Sequence, residues 1–177
     1  MPPSDPSSRE EALHLLRALG AKPRLVLHGA TVSEVAVEVS TLLTRLGVKI
    51  DEVLVVTGAV LHDAGKIIHP EELDGPGRRH EDAGERLLQA HGVSPRLARV
   101  CRTHGAWDGP EVTLEEQIVA LGDNLWCGRR TERLESLVGE AVSSQLGLDR
   151  WEAFLKLDPE YERIAAGASD RLARAQV

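Results

Sequence analysis

An apolar run from Val53 to Leu61 ends in a histidine and an aspartate, His62 and Asp63, followed by Ala64, Gly65 and Lys66. An imidazole and a carboxylate at the end of a buried segment are costly unless they share a ligand, and a metal ion satisfies both. Elsewhere in the chain stand His28, His80, His104 and Asp123, each placed by the surrounding pattern at a helix end or on a helix's inner face. Together they are four histidines and two aspartates, nitrogen and oxygen donors without a thiolate. Such a set suits Fe, Mn, Co, Ni or Zn at a reactive site rather than a structural zinc. Lys66 follows Asp63 by three positions and His62 by four, so one more helical turn brings it to their face, where it can hold an anionic substrate oxygen.

The segments that carry these residues read as helices. Leu13, Leu16 and Leu19 mark a helix over 9–19 stopped by Gly20, and His14 on it reads as a surface or packing residue. Val32, Val35, Val39, Leu42, Leu43 and Leu46 step by three and four, which predicts an amphipathic helix from Gly29 to Leu46, with His28 at its start on the core side. Asp51 caps a run reaching Ala64, too long for a buried strand, so a central helix delivers His62 and Asp63 at its C-terminal end. Residues 67–79, with Pro70, Gly75, Pro76 and Gly77, read as a loop over the site entrance.

A helix over 79–91 carries His80 and Gly84, the glycine marking close approach of a backbone or ligand. Ser94 and Pro95 open a helix that ends at His104, and Leu114, Ile118, Leu121 and Leu125 mark one that contains Asp123. Two more stretches, 132–146 and 149–175, complete the chain, and Pro159 predicts a break in the second. No segment alternates like a half-buried strand. The expected fold is therefore all-α, a bundle of about six to eight helices.

Pro- and Ser-rich residues 1–8 read as a disordered lead-in, and residues 9–177 as one helical domain. A net charge of −7 speaks against a general nucleic-acid binder. The apolar runs are shorter than a membrane span, and Cys101 and Cys127 have no disulfide-framework spacing. The reading is a cytoplasmic protein with inert thiols.

The order His28, His62-Asp63, His80, His104, Asp123, with the fragments Leu61-His62-Asp63-Ala64-Gly65-Lys66, His80-Glu81-Asp82-Ala83-Gly84, Thr103-His104 and Gly122-Asp123, resembles the HD-domain superfamily of metal-dependent phosphohydrolases. The resemblance covers 28–130 and leaves 131–177 as a helical extension: a cap, a homodimer face or core completion. It implies that His28, His62, Asp63 and Asp123 bind a first metal, and that His80 and His104 bind a second with Asp63 bridging. Among relatives the chain looks most like small stand-alone hydrolases of nucleotides, dinucleoside polyphosphates included.

The chemistry so implied is attack of metal-activated water on a small phosphorylated substrate, a nucleotide above all. Asp63 and Lys66 would be catalytic, with Lys66, Arg79, Arg129 and Arg130 (Arg78 as a variant of Arg79) holding phosphates. Two rivals stand beside it: a di-iron oxygenase with the same ligands, and a non-catalytic nucleotide-binding sensor. Glu81 and Asp82 are candidates to orient a ligand histidine. His91 reads as a helix C-terminal residue, and Trp107, Trp126 and Trp151 as core or rim packing.

Overall fold

A computed structural model describes residues 5–175. Among them there is no strand. Eight helices of eight residues or more, two single-turn helices and two 3-10 turns follow one another: α1 (Arg9–Ala18), α2 (Pro23–Arg45), α3 (Glu52–Leu61), the 3-10 turns Ala64–Ile67 and Pro70–Leu73, α4 (Arg79–Ala90), α5 (Pro95–Ala98), α6 (Val100–Thr103), α7 (Leu114–Leu125), α8 (Glu132–Leu146), α9 (Arg150–Ala166) and α10 (Ala168–Ala175).

The caps explain most boundaries. Side-chain oxygens of Ser8, Asp51, Ser94, Thr113 and Asp149 each accept from a backbone N–H two or three residues into the first turn, and Thr113 and Asp149 form reciprocal capping boxes with Glu116 and Glu152. At the other end of α8, Gly147 adopts φ +66°, a left-handed conformation that ends the helix.

Three expectations need correction. The lead-in is ordered from Asp5: its carboxylate accepts from the backbone N–H and hydroxyl of Ser94, and Ser8 caps α1; residues 1–4 lie outside the described residues. Helix α2 begins at Pro23, so His28 sits in its second turn; proline at the first helical position was the missed signal. Pro159 does not break α9, which continues to Ala166. Pro159 and Leu155 are both exposed, so the carbonyl deprived of a donor lies on the solvent side. Trp151, 65% exposed, takes the rim rather than the core, its ring stacked on that of Phe154.

The apolar residues form two clusters. The larger joins α2, α3, α7, α8 and α9 around Val35, Val39, Val55, Ile118, Leu121 and Leu157; the smaller joins α1, α4, α5 and α6 to the ends of α2 and α3 around Leu16, Leu61, Leu88, Leu97 and Cys101. Helix α2 is long and apolar enough to cross a membrane by length and composition, yet 56% of its most apolar window is buried inside the protein. It is the central core helix. Where α2 crosses α3 the backbones touch: a Cβ on Gly29 would lie 2.5 Å from the Val60 carbonyl oxygen. That contact brings His28 beside the end of α3.

Candidate metal centre

Helix α3 ends at Leu61; His62 caps it and Asp63 leaves helical geometry at φ −100°, ψ 13° before the first 3-10 turn. This turn replaces the helical continuation expected for Lys66. Its tightness depends on Gly65, whose Cβ would fall 1.8 Å from the His80 carbonyl oxygen and 2.6 Å from the Gly84 nitrogen. Two glycines, Gly65 and Gly84, thus let α4 lie against the turn and carry His80 to Asp63.

All six expected metal ligands converge. Nε2 of His28 lies 3.3 Å from Nε2 of His62, 3.2 Å from Oδ2 of Asp63 and 3.4 Å from Oδ1 of Asp123. Nε2 of His62 lies 3.6 Å from Asp63 Oδ2 and 3.4 Å from Asp123 Oδ1. On the other side, Oδ1 of Asp63 is 3.2 Å from Nε2 of His80 and 3.7 Å from Nε2 of His104. The two oxygens of Asp63 therefore face different histidine pairs.

The outer nitrogens fix the rings. Nδ1 of His62 is 2.8 Å from the Ala59 carbonyl oxygen, Nδ1 of His104 3.2 Å from that of Val100, and Nδ1 of His80 2.7 Å from Oε2 of Glu72. Each Nδ1 is then the donor, which leaves Nε2 as a lone pair directed inward. His28 is steadied by the indole of Trp126, set edge-on at 5.0 Å between ring centroids.

These residues could hold metal ions. His80 Nε2 is buried and makes no hydrogen bond, despite its 3.2 Å approach to Asp63; a lone pair so placed wants a Lewis acid. Three overlapping groups bring ligand atoms within 4.8 Å of one another: His28, His62, Asp63; His62, His104, Asp123; and Asp63, His80, His104. Electrostatics agree. Burial would raise the Asp63 and Asp123 carboxyls, but the neighbouring imidazoles, His62 first, hold both well below the usual carboxylate range. Burial disfavours the charged form of His28, yet its bonds to Asp123 and Asp63 outweigh it and push the ring up to about 9. His80 is raised against burial by Asp63 and Glu72, and His104 is lowered by burial and by His62.

The expected phosphate-binding residues fare differently. Lys66 joins the cluster, its Nζ 2.7 Å from Asp63 Oδ2. Arg129 is exposed and lies 3.5 Å from the side-chain oxygen of Asn124, the residue after Asp123 in the chain. Arg130 is not brought to the site: Glu135, Asp158 and Glu162 surround it between α8 and α9. Arg79 is committed to Glu71 and Glu72, and Arg78 to Glu81.

Two structural residues escaped the sequence reading. Glu72, buried in the second 3-10 turn, does the orienting work expected of Glu81 or Asp82; Glu81 instead binds Arg78, and Asp82 is exposed. A glutamate inside a supposed entrance loop gave no periodic signal. Arg171 of α10 is buried and donates from Nε to the Trp126 carbonyl and from Nη2 to those of Leu125 and Ile164, at 2.9, 2.9 and 2.5 Å. It ties down the end of α7 just past Asp123. Only the fold reveals it, because the contact spans 46 residues.

Comparison with known proteins agrees with this geometry. Residues 32–125, more than half the chain, match the HD domain family. An uncharacterized protein of Methanocaldococcus jannaschii is 30% identical over 145 residues, covering 73% of this chain and 81% of the relative. A tRNA (cytidine(56)-2'-O)-methyltransferase of Thermoplasma volcanium is 30% identical over 141 residues, 71% of this chain but 38% of that enzyme. No solved structure matches the chain. The matched segment holds five of the six converging residues, with His28 just before it, and the chain belongs to the HD domain family, whose members are typically metal-dependent phosphohydrolases.

Proposed function

We propose that this protein is a phosphohydrolase with a dinuclear metal centre, acting on a nucleotide or another small phosphorylated metabolite. The observation that carries the reading is the division of Asp63: Oδ2 toward His28 and His62, Oδ1 toward His80 and His104. On this reading His28, His62, Asp63 and Asp123 hold one ion, and His80, His104 and the second oxygen of Asp63 hold the other. Cations bound there would supply a water activated near neutral pH and neutralise charge on phosphoryl oxygens.

The chain's own residues do the rest. Lys66, one-fifth exposed at the edge of the cluster, can turn from Asp63 to a non-bridging phosphate oxygen. Arg129, exposed and just past the end of the helix that carries Asp123, is the candidate for a second phosphate. Neither Arg79 nor Arg130 serves, since both are held by carboxylates.

The test is phosphate and nucleoside release from mono-, tri-, cyclic and dinucleoside polyphosphates, after anaerobic purification, with Mn, Fe, Co, Ni or Mg supplied singly. Metal-dependent turnover that vanishes in Asp63→Ala supports the proposal. Protein loaded with two ions that turns over none of these compounds overturns the nucleotide assignment.

A further inference from the structure

Between α8 and α9, sharing no residue with the metal centre, lies a cleft of about 410 Å³, a size that suits a small molecule. Leu157 and Tyr161 form its buried floor; Trp151 and Phe154 form its rim, their rings stacked 5.2 Å apart at 17°. The chain has five Phe, Trp and Tyr residues in all, three Trp, one Tyr and one Phe, and three of these line this cleft. In so aromatic-poor a sequence, a core would bury them. Here a stacked pair stands in solvent.

A further observation points to an occupant. The walls are acidic: Glu132, Glu135, Glu140 and Asp158 face the cleft against the single guanidinium of Arg150. Arg150 pairs with Glu140, and Arg130 holds Glu135 and Asp158 from outside the cleft. Glu132 makes no ion pair among the described residues.

We propose that this cleft binds a small organic cation, an ammonium carried on an aromatic or branched apolar body. The body lies against Trp151 and Phe154, whose π-faces also attract the charge. Glu132, the wall carboxylate without an ion pair among the described residues, neutralises the ammonium. A second copy of the chain is the other occupant an exposed Trp–Phe pair invites. An isologous contact, however, would set the acidic walls of one copy against those of the other.

Calorimetric titration of the full chain with 2-phenylethylamine, 2-phenylethanol and phenylacetate separates these outcomes. The amine should bind at least about tenfold more tightly than the alcohol, weaken with salt, and outcompete the carboxylate completely. Trp151→Ala should weaken it about tenfold or more and Glu132→Gln severalfold. The proposal is overturned by equal binding of amine and alcohol, by amine binding that survives Trp151→Ala and Glu132→Gln, or by no amine binding up to ~10 mM. A concentration-dependent dimer abolished by Trp151→Ala would equally overturn it, giving the face to a second copy.

Discussion

Glu72 Oε2 accepts from Nδ1 of His80 at 2.7 Å and from the same residue's backbone N–H at 3.1 Å, while Oε1 accepts from the backbone N–H of Arg79 at 3.2 Å. One carboxylate thus caps the start of α4 and fixes the ring of a ligand histidine. Glu72→Ala should lower affinity for the ion held by His80 and His104 about 10–100-fold while sparing the other. Competition with a chelator, read as two release phases, checks this.

The same carboxylate gives a pH dependence. Burial would raise it, but its bonds to His80 and to the Arg79 and His80 backbone push it down from 4.5 to about 2. A carboxyl lowered on folding stabilises fully above its ordinary value and loses that stabilisation as pH falls toward the lowered one. Metal-free wild type and Glu72→Gln should therefore differ most in melting temperature above pH 4.5 and converge between 4.5 and about 2. Melts across that range decide it.

Gly65→Ala should be among the most damaging small substitutions, because its Cβ would overlap the His80 carbonyl at 1.8 Å and backbone must move. A loss of about 3 kcal/mol or more is expected, with loss of the second ion. Gly139→Ala in α8 has only the Leu157 side chain at 4.0 Å. It should stabilise by about 0.5–1 kcal/mol. Denaturant melts of the pair give opposite signs.

Asp63→Asn should deplete both ions, Asp123→Asn and His80→Ala one each, since the oxygens of Asp63 face both histidine pairs. Elemental analysis of purified variants reads this. Equal loss in all three would remove the bridging role.

Lys66→Ala should reduce kcat about 10²-fold while metal binding holds or tightens, since Nζ no longer competes for Asp63 Oδ2 at 2.7 Å. Steady-state kinetics beside metal titrations separate the two effects.

Five of the six candidate ligands sit where a helix starts or stops, and caps, glycines and apolar steps mark such places; His28, in the second turn of α2, does not. His62 and Asp63 were visible at the end of one apolar run, and Gly84 was read as a close approach before its partner, Gly65, was known. What stayed hidden lies off any period. Glu72 sits in a 3-10 turn that looks like loop, and Arg171 acts through carbonyls far away in sequence. Arg129 and Arg130 show the limit from the other side. Adjacent and identical, they part because Glu135, Asp158 and Glu162 surround only the second.

The metal centre spans the boundary between the two apolar clusters. Asp123 rides on α7 in the larger; His80 and His104 are delivered by α4 and α6 in the smaller, and the end of α3, where Asp63 sits, touches both. The His28–His62 side of Asp63 draws on both clusters, through Val26, Val60 and Leu61 in the smaller and Ala59 in the larger. The site is thus a seam that joins two cores, and loosening either one would disturb it.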